Sequence, residues 1–153
     1  MVSLFDNFYQ MGFVARDLEK ATAAMARFHG VSKWRITNLS STMEAAHAWI
    51  GSTMLELIRV LPGAPGIYDA YVPEDPAAVR LHHHGYRVND EGDWKAINHL
   101  VEKAGFATPL KGCLMDGQFR YLYADTRALT GIYSEYTFRE GAATAMYDGV
   151  PHN

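Results

Sequence analysis

Four polar side chains stand inside apolar stretches of this 153-residue chain: Gln10, Glu56, His83 and Glu135. A carboxylate on the inward face of a sheet is costly unless it is paired or bound to a metal ion. Two carboxylates, an imidazole and an amide oxygen form a donor set that suits a divalent cation. We therefore predict that these four residues bind a metal ion and leave coordination positions for water or substrate.

The elements that would carry these residues follow from the spacing of apolar side chains. Two apolar stripes, within 18–28 and 94–104, have helical spacing. Asp17 and Asp93 are the predicted N-caps, and a glycine follows each stripe as a helix end. The predicted strands cover 8–15, 33–37, 42–50, 54–61, 81–88, 106–114, 119–124 and 132–138.

The two halves of the chain show the same order of elements, a strand, a helix and three further strands, which indicates an internal repeat. Gln10 aligns with His83 at an offset of 73 residues (83 − 10), and Glu56 aligns with Glu135 at 79 (135 − 56). The two helical stripes align at an intermediate offset of 76 (94 − 18). The offset therefore grows only at turns, where insertions are tolerated.

The repeat predicts a single domain over 1–153 with two modules, at about 8–61 and 80–139. A proline- and glycine-rich connector at 62–79 joins them, and a C-terminal tail covers 140–153. The predicted fold is α+β, with two βαβββ modules forming one curved eight-stranded mixed sheet. This half-open barrel would carry its helices on the convex face. The apolar edges of such a sheet predict a homodimer.

Four short motifs at the module ends resemble the vicinal oxygen chelate superfamily, which includes glyoxalase I, methylmalonyl-CoA epimerase, extradiol dioxygenases and bleomycin-resistance proteins. They begin at Gln10 (QMGFVARDLEKA), Met54 (MLELIRVLPG), Leu81 (LHHHGYRV) and Gly131 (GIYSEY). The resemblance covers 8–138. It implies that the first and last strands of each module supply the metal ligands, which are again Gln10, Glu56, His83 and Glu135. The implied ion is divalent: Zn, Ni, Co, Mn or Fe.

The resemblance points to two subgroups. Gln10 replaces the histidine that usually begins the epimerase pattern, and the resulting Gln–Glu–His–Glu set is similar to that of eukaryotic-type glyoxalase I. The chain length and the motif that surrounds Glu56 look more like the epimerases. Extradiol dioxygenases hold iron with two histidines and one glutamate, so Gln10 argues against oxygen activation.

These observations favour a metal-dependent isomerase or lyase that moves a proton α to a carbonyl of a small oxygen-chelating substrate. Thioester epimerisation and hemithioacetal isomerisation both contain this step. Glu135 is the first choice for the base and Glu56 the second. Three alternatives stay open. The chain could be a non-catalytic small-molecule binding or resistance protein, or a relative of the ring-cleaving dioxygenases. It could also be a degenerate structural member of the fold that no longer binds a metal ion because Gln10 stands at a ligand position.

The other reactive side chains are predicted to have no part in this chemistry. Strand alternation puts His82 and His84 on the face opposite His83, as surface or interface residues. His47 could line the pocket, but the favoured interpretation is that it faces solvent. Cys113 is predicted to be a packed, inert thiol, because no neighbouring group that would activate it is evident.

Composition excludes several classes of partner. The formal charge of −3 provides no basic field for nucleic acid. The single cysteine excludes a disulfide framework and a cysteine-rich zinc module. No apolar run reaches the ~20 residues needed to cross a bilayer. The start of the chain lacks the basic and apolar regions of a signal peptide. We therefore expect a cytoplasmic protein that acts on a small molecule.

Overall fold

The structure, a computed structural model, describes residues 2–153. Its strands are β1 (Phe8–Ala15), β2 (Arg35–Ser40), β3 (Met43–Ile50), β4 (Thr53–Val60), β5 (Val79–Val88), β6 (Leu110–Leu114), β7 (Phe119–Ala124) and β8 (Tyr133–Arg139). Its α-helices are α1 (Leu18–His29), α2 (Glu91–Lys103) and α3 (Arg127–Thr130). Short 3₁₀ helices cover Gly66–Tyr71, Met115–Gly117 and Gly141–Ala145.

The chain forms two compact units, and each contains four strands of a mixed sheet. The β1–β4 unit contains Gln10–His82 and Gly149–Asn153, and its strand order is β2-β3-β4-β1. The β5–β8 unit contains the N-terminal segment up to Tyr9 and His83–Asp148, with the order β5-β8-β7-β6. In each unit the first and last strands of the module pair in parallel and the other pairs are antiparallel. The predicted α+β class, with eight strands in two βαβββ modules, is confirmed.

The β1–β4 unit is organised around helix α1. Its N-cap is Asp17, as predicted, because the carboxylate accepts a hydrogen bond from the Lys20 backbone N–H at 3.1 Å. The helix ends at Gly30, whose φ of 73° is a conformation that favours glycine. A buried core cluster of this unit contains Ala15, Leu18, Ala21, Ala46 and Leu57.

The β5–β8 unit has the matching helix, α2, but its N-cap is Asp90 and not Asp93. Asp90 has extended backbone angles, and its carboxylate accepts a hydrogen bond from the Asp93 N–H at 2.8 Å. Asp93 therefore lies in the first helical turn, where its negative charge interacts favourably with the helix dipole. The core residues of this unit are Tyr86, Val88, Trp94, Ile97, Val101, Leu122, Ala124, Tyr136 and Phe138.

Two predicted strands begin later in the structure than the sequence pattern suggested. Strand β6 begins at Leu110 and not at residue 106, because Pro109 has no N–H for a ladder hydrogen bond. Strand β2 begins at Arg35 and not at residue 33. The backbone N–H groups of Ser32 and Lys33 instead donate to the side chain of Asn153, at 2.9 and 2.8 Å.

The last residues of the chain are part of the β1–β4 unit. Trp49 donates its backbone N–H to Pro151 at 2.8 Å, and Asn153 donates its own to Trp49 at 3.0 Å. The Asn153 side chain also donates to the Lys33 carbonyl at 3.0 Å. One amide side chain therefore satisfies three backbone groups of the segment between α1 and β2.

We expect Asn153→Ala to lower the free energy of unfolding by about 1 kcal/mol, because it removes three partly solvated hydrogen bonds. Urea denaturation followed by circular dichroism measures this change. Asn38→Ala, at an exposed position of β2, is the control and should change stability by less than about 0.5 kcal/mol. Equal effects of the two substitutions would contradict a specific role for Asn153.

Two further findings concern the sequence predictions. Cys113 is exposed, so the prediction of a packed thiol is wrong. Its strand, β6, is the last in the strand order, and a strand with a single neighbour leaves its side chains less covered. Within residues 2–153 no helix combines the length and the apolarity that crossing a membrane requires.

Candidate metal and catalytic site

Gln10 and Glu56 lie on the same face of the β1–β4 sheet. In the parallel ladder, Gln10 pairs with Met54 and Gly12 pairs with Glu56, so the two polar side chains are diagonal neighbours. Both are buried, with 1% and 6% of their surface exposed. Within the part of the chain that the structure describes, the Gln10 Oε1 atom has no hydrogen-bond partner. A buried amide oxygen without a donor is an acceptor suited to a cation.

His83 and Glu135 have the same relation in the β5–β8 sheet. His83 pairs with Tyr133 and Gly85 pairs with Glu135, which repeats the diagonal arrangement in the second module. His83 is fully buried, and 7% of Glu135 is exposed. The His83 Nε2 atom lies 3.4 Å from the Glu135 Oε2 atom. The internal repeat therefore places an amide and a carboxylate in one unit where it places an imidazole and a carboxylate in the other.

His47 is a buried partner of Glu56, and the prediction that it faces solvent is wrong. It lies directly opposite Glu56 in the antiparallel β3–β4 ladder, and only 1% of it is exposed. Its Nε2 atom is 2.9 Å from the Glu56 Oε1 atom. A sequence signal for this pair exists, because the tight turn at Gly51 sets the register of the hairpin and thus pairs residues 47 and 56.

His82 lies on the face of β5 opposite His83, as alternation predicts, but it is buried and not at the surface. Its ring stacks on Tyr68 at 4.6 Å and meets Tyr71 edge-on at 4.7 Å. Its Nε2 atom is 3.1 Å from the Ile67 carbonyl oxygen. All three partners belong to the connector, whose 3₁₀ helix covers this face of the strand. His82 therefore serves packing in the β1–β4 unit.

His84 is half-buried and meets Phe8 edge-on at 5.2 Å in the β5–β8 unit. Burial lowers the pKa of His84, and the electrostatic effect of the neighbouring His83 lowers it further. The prediction of a surface or interface residue is therefore only partly met, because a ring already covers one side of His84. Its place on the face opposite His83 separates it from the candidate ligands.

Two tyrosines of β7, Tyr121 and Tyr123, are neighbours of Glu135 in its unit. Tyr123 lies directly opposite Glu135 in the β7–β8 ladder, and its ring is edge-on to His83 at 5.2 Å. Burial raises the pKa of Tyr121, and the charges of Glu135 and Cys113 raise it further. The Tyr121 phenol therefore stays protonated at neutral pH.

The donor set fits a divalent cation in its chemistry. Two buried carboxylates supply negative charge, and the Gln10 amide oxygen and the His83 imidazole supply neutral ligands. Among residues 2–153, however, no group of three or more His, Cys, Asp or Glu side chains is arranged to hold a metal ion. The structure brings the predicted residues together in pairs, one in each unit. Binding of one ion by all four is a prediction that comes from the sequence.

Comparisons with known proteins identify proteins of similar fold but no relative by sequence. No family model matches the chain, and no curated protein matches it. Among solved structures, methylmalonyl-CoA epimerase from Mycobacterium tuberculosis matches at a TM-score of 0.62 with 14% identity, over 95% of this chain and 97% of that chain. A methylmalonyl-CoA epimerase in complex with methylmalonyl-CoA and NH4+ matches at 0.63 with 15% identity, over 90% and 96%. A hypothetical protein from Bacillus halodurans matches at 0.61 with 14% identity, over 90% and 96%.

These matches show that the chain has the vicinal oxygen chelate fold, as its motifs indicated. Almost the whole length of each solved chain is covered, so the likeness includes both modules. At this level of identity the likeness is one of fold alone. The activity must therefore be argued from the side chains of this chain.

Proposed function

We propose that the protein is a metal-dependent enzyme that transfers a proton at the carbon α to a carbonyl group. The observation that carries this proposal is the pair of equivalently placed, buried carboxylates of Glu56 and Glu135, each next to a histidine. Buried carboxylates are costly to a fold unless they are paired or bind a cation. The proposed metal ligands are Gln10, Glu56, His83 and Glu135, with one diagonal pair from each module.

The residues of this chain divide the work of such a reaction. A divalent ion, when bound, supplies the Lewis acidity that stabilises the enolate oxygen of the substrate. Glu135 is the proposed proton acceptor, because its carboxylate lies 3.4 Å from His83 and can move without breaking a short hydrogen bond. Gln10 contributes an uncharged oxygen, so the two glutamates balance the charge of a divalent ion.

An epimerase-like reaction on a thioester is the favoured form of this chemistry. Support comes from the fold shared with methylmalonyl-CoA epimerases, one of them in complex with methylmalonyl-CoA, and from the epimerase-like motif around Glu56. A second form, the isomerisation of a glutathione hemithioacetal, is favoured by Gln10, since a Gln–Glu–His–Glu set is similar to that of eukaryotic-type glyoxalase I. Both substrates are small molecules whose oxygens can chelate an ion.

A non-catalytic binding protein of the same fold is the alternative from a different class. A site for a neutral aromatic ligand has no use for two buried carboxylates and an amide oxygen without a donor. The charge and burial of the four residues therefore favour the enzyme. The binding protein remains as a possible outcome of the experiment that follows.

We expect the purified protein to bind about one divalent ion per chain and to exchange the α-proton of its substrate with solvent. Elemental analysis measures the ion. Incubation in deuterated water with a 2-methyl-branched acyl-CoA thioester, and separately with a glutathione hemithioacetal, measures deuterium uptake at the α carbon by mass spectrometry. Chelator-treated protein is the control and should lose the uptake until the ion is restored. If the metal-loaded protein exchanges the α-proton of neither substrate but binds an aromatic ligand, the proposal of an enzyme is wrong and the binding protein takes its place.

A further inference from the structure

The two candidate glutamates occupy equivalent ladder positions but face different neighbours. Directly opposite Glu56, on β3, stands His47, and directly opposite Glu135, on β7, stands Tyr123. The repeat therefore offers the same cross-strand position twice and fills it with an imidazole once and a phenol once. Neither His47 nor Tyr123 belongs to the proposed ligand set. The difference between these two neighbours gives the two carboxylates different surroundings.

The contact between His47 and Glu56 is a short, buried hydrogen bond. The two atoms, Nε2 and Oε1, are 2.9 Å apart, and the side chains are 2% and 8% exposed. A carboxylate oxygen accepts and an imidazole N–H donates, so we assign the shared proton to His47 Nε2. A charge-assisted bond in a site with little water is stronger than the same bond at the surface. It fixes the side-chain torsions of Glu56 before any cation arrives.

Glu135 is held less tightly. Its carboxylate lies 3.4 Å from the nearest imidazole nitrogen, that of His83, compared with 2.9 Å for the Glu56 pair. The residue opposite Glu135, Tyr123, turns its ring edge toward His83 at 5.2 Å. A carboxylate that must reach a substrate carbon and return needs this freedom, whereas a carboxylate that only holds an ion does not.

We propose that His47 is a positioning residue that fixes Glu56 as a constant ligand, which leaves proton acceptance to Glu135. This inference rests on the proposed function, since it assigns the two glutamates of that site. The His47 imidazole donates its Nε2 proton to Glu56 Oε1 and would hold this carboxylate in place for a cation. Partners of this kind orient metal ligands, and their loss typically weakens metal binding by about 10- to 100-fold.

The first test compares two substitutions of His47. His47→Leu keeps a side chain of similar size but removes the donor, whereas His47→Gln keeps an N–H donor. We expect the dissociation constant for Zn²⁺, measured by titration calorimetry, to rise about 10- to 100-fold in His47→Leu and to recover in large part in His47→Gln. His99→Gln, at an exposed position of α2, is the control and should leave the constant unchanged. A His47→Leu protein that is folded and binds Zn²⁺ as tightly as the unsubstituted chain would overturn the inference.

The second test needs no metal and separates the inference from the proposed function. Nitrogen-15 NMR of the imidazoles in the metal-free protein shows which ring nitrogen of His47 carries a proton. We expect a proton on Nε2 that exchanges slowly with solvent and whose signal shifts in Glu56→Gln. A bare Nε2 atom overturns the role of His47 even if the protein binds metal. Failure of the unsubstituted protein to bind any divalent ion, with the Nε2 proton present, overturns the proposed function while His47 is still shown to hold Glu56.

A third readout separates positioning from catalysis where exchange activity is found. In His47→Leu the loss of α-proton exchange should be recovered at saturating metal, because Glu135 is intact. Loss that persists at saturating metal would make His47 itself part of the chemistry and would overturn its role as a positioning residue.

Discussion

Glu135→Gln is expected to bind the divalent ion and to lose α-proton exchange by about 100-fold or more, the usual scale for removal of a general base. The amide has nearly the shape of the carboxylate and keeps an oxygen that can act as a ligand, but it cannot accept the substrate proton. Deuterium uptake at the α carbon, measured at saturating metal, gives the rate. Elemental analysis of the same sample shows that the ion is present.

The matching control for Glu135→Gln is Glu102→Gln, at an exposed position on α2. It removes the same charge from the chain and should leave both metal content and exchange unchanged. Glu56→Gln provides a second comparison, because Glu56 is the second choice for the base. If Glu56→Gln loses more α-proton exchange than Glu135→Gln at equal metal content, then Glu56 is the base and Glu135 the constant ligand.

His83→Ala is expected to abolish retention of the metal while the protein still folds. The substitution removes the only imidazole in the proposed ligand set, and an alanine side chain offers no ligand atom. The measurement is the metal content after gel filtration, together with the dissociation constant by titration calorimetry. Circular dichroism and thermal unfolding establish that the variant is folded.

His82→Ala is the matched comparison, one residue earlier on β5 and on the opposite face. Because the ring of His82 stacks on Tyr68 and meets Tyr71, its removal should cost stability, by roughly 2 kcal/mol or more as for other large-to-small changes in a core. Metal retention by the folded fraction should be unchanged. Equal loss of metal in the two variants would mean that the strand register is wrong by one residue.

Local patterns in the sequence were sufficient to identify the eight strands and the helices α1 and α2. The N-cap at Asp17 and the helix end at Gly30 depend on residues that are neighbours in the chain, and the structure confirms both. Strand alternation has a period of two residues, so the sequence alone separates His83 from His82 by face. Four motifs in a fixed order were enough to indicate the fold, because each contains the first or the last strand of a module.

The tertiary structure decided which polar residues are buried and what they contact. The sequence shows the face on which His82 lies but not that the connector covers that face, because burial depends on chain segments distant in sequence. Cys113 is exposed for the converse reason, since β6 has one neighbouring strand. The same physics accounts for His47, whose burial and 2.9 Å bond to Glu56 require β3 and β4 to be packed within the unit. Periodicity thus separated the two faces of β5, and the packing of distant segments determined which side chains are buried and what they contact.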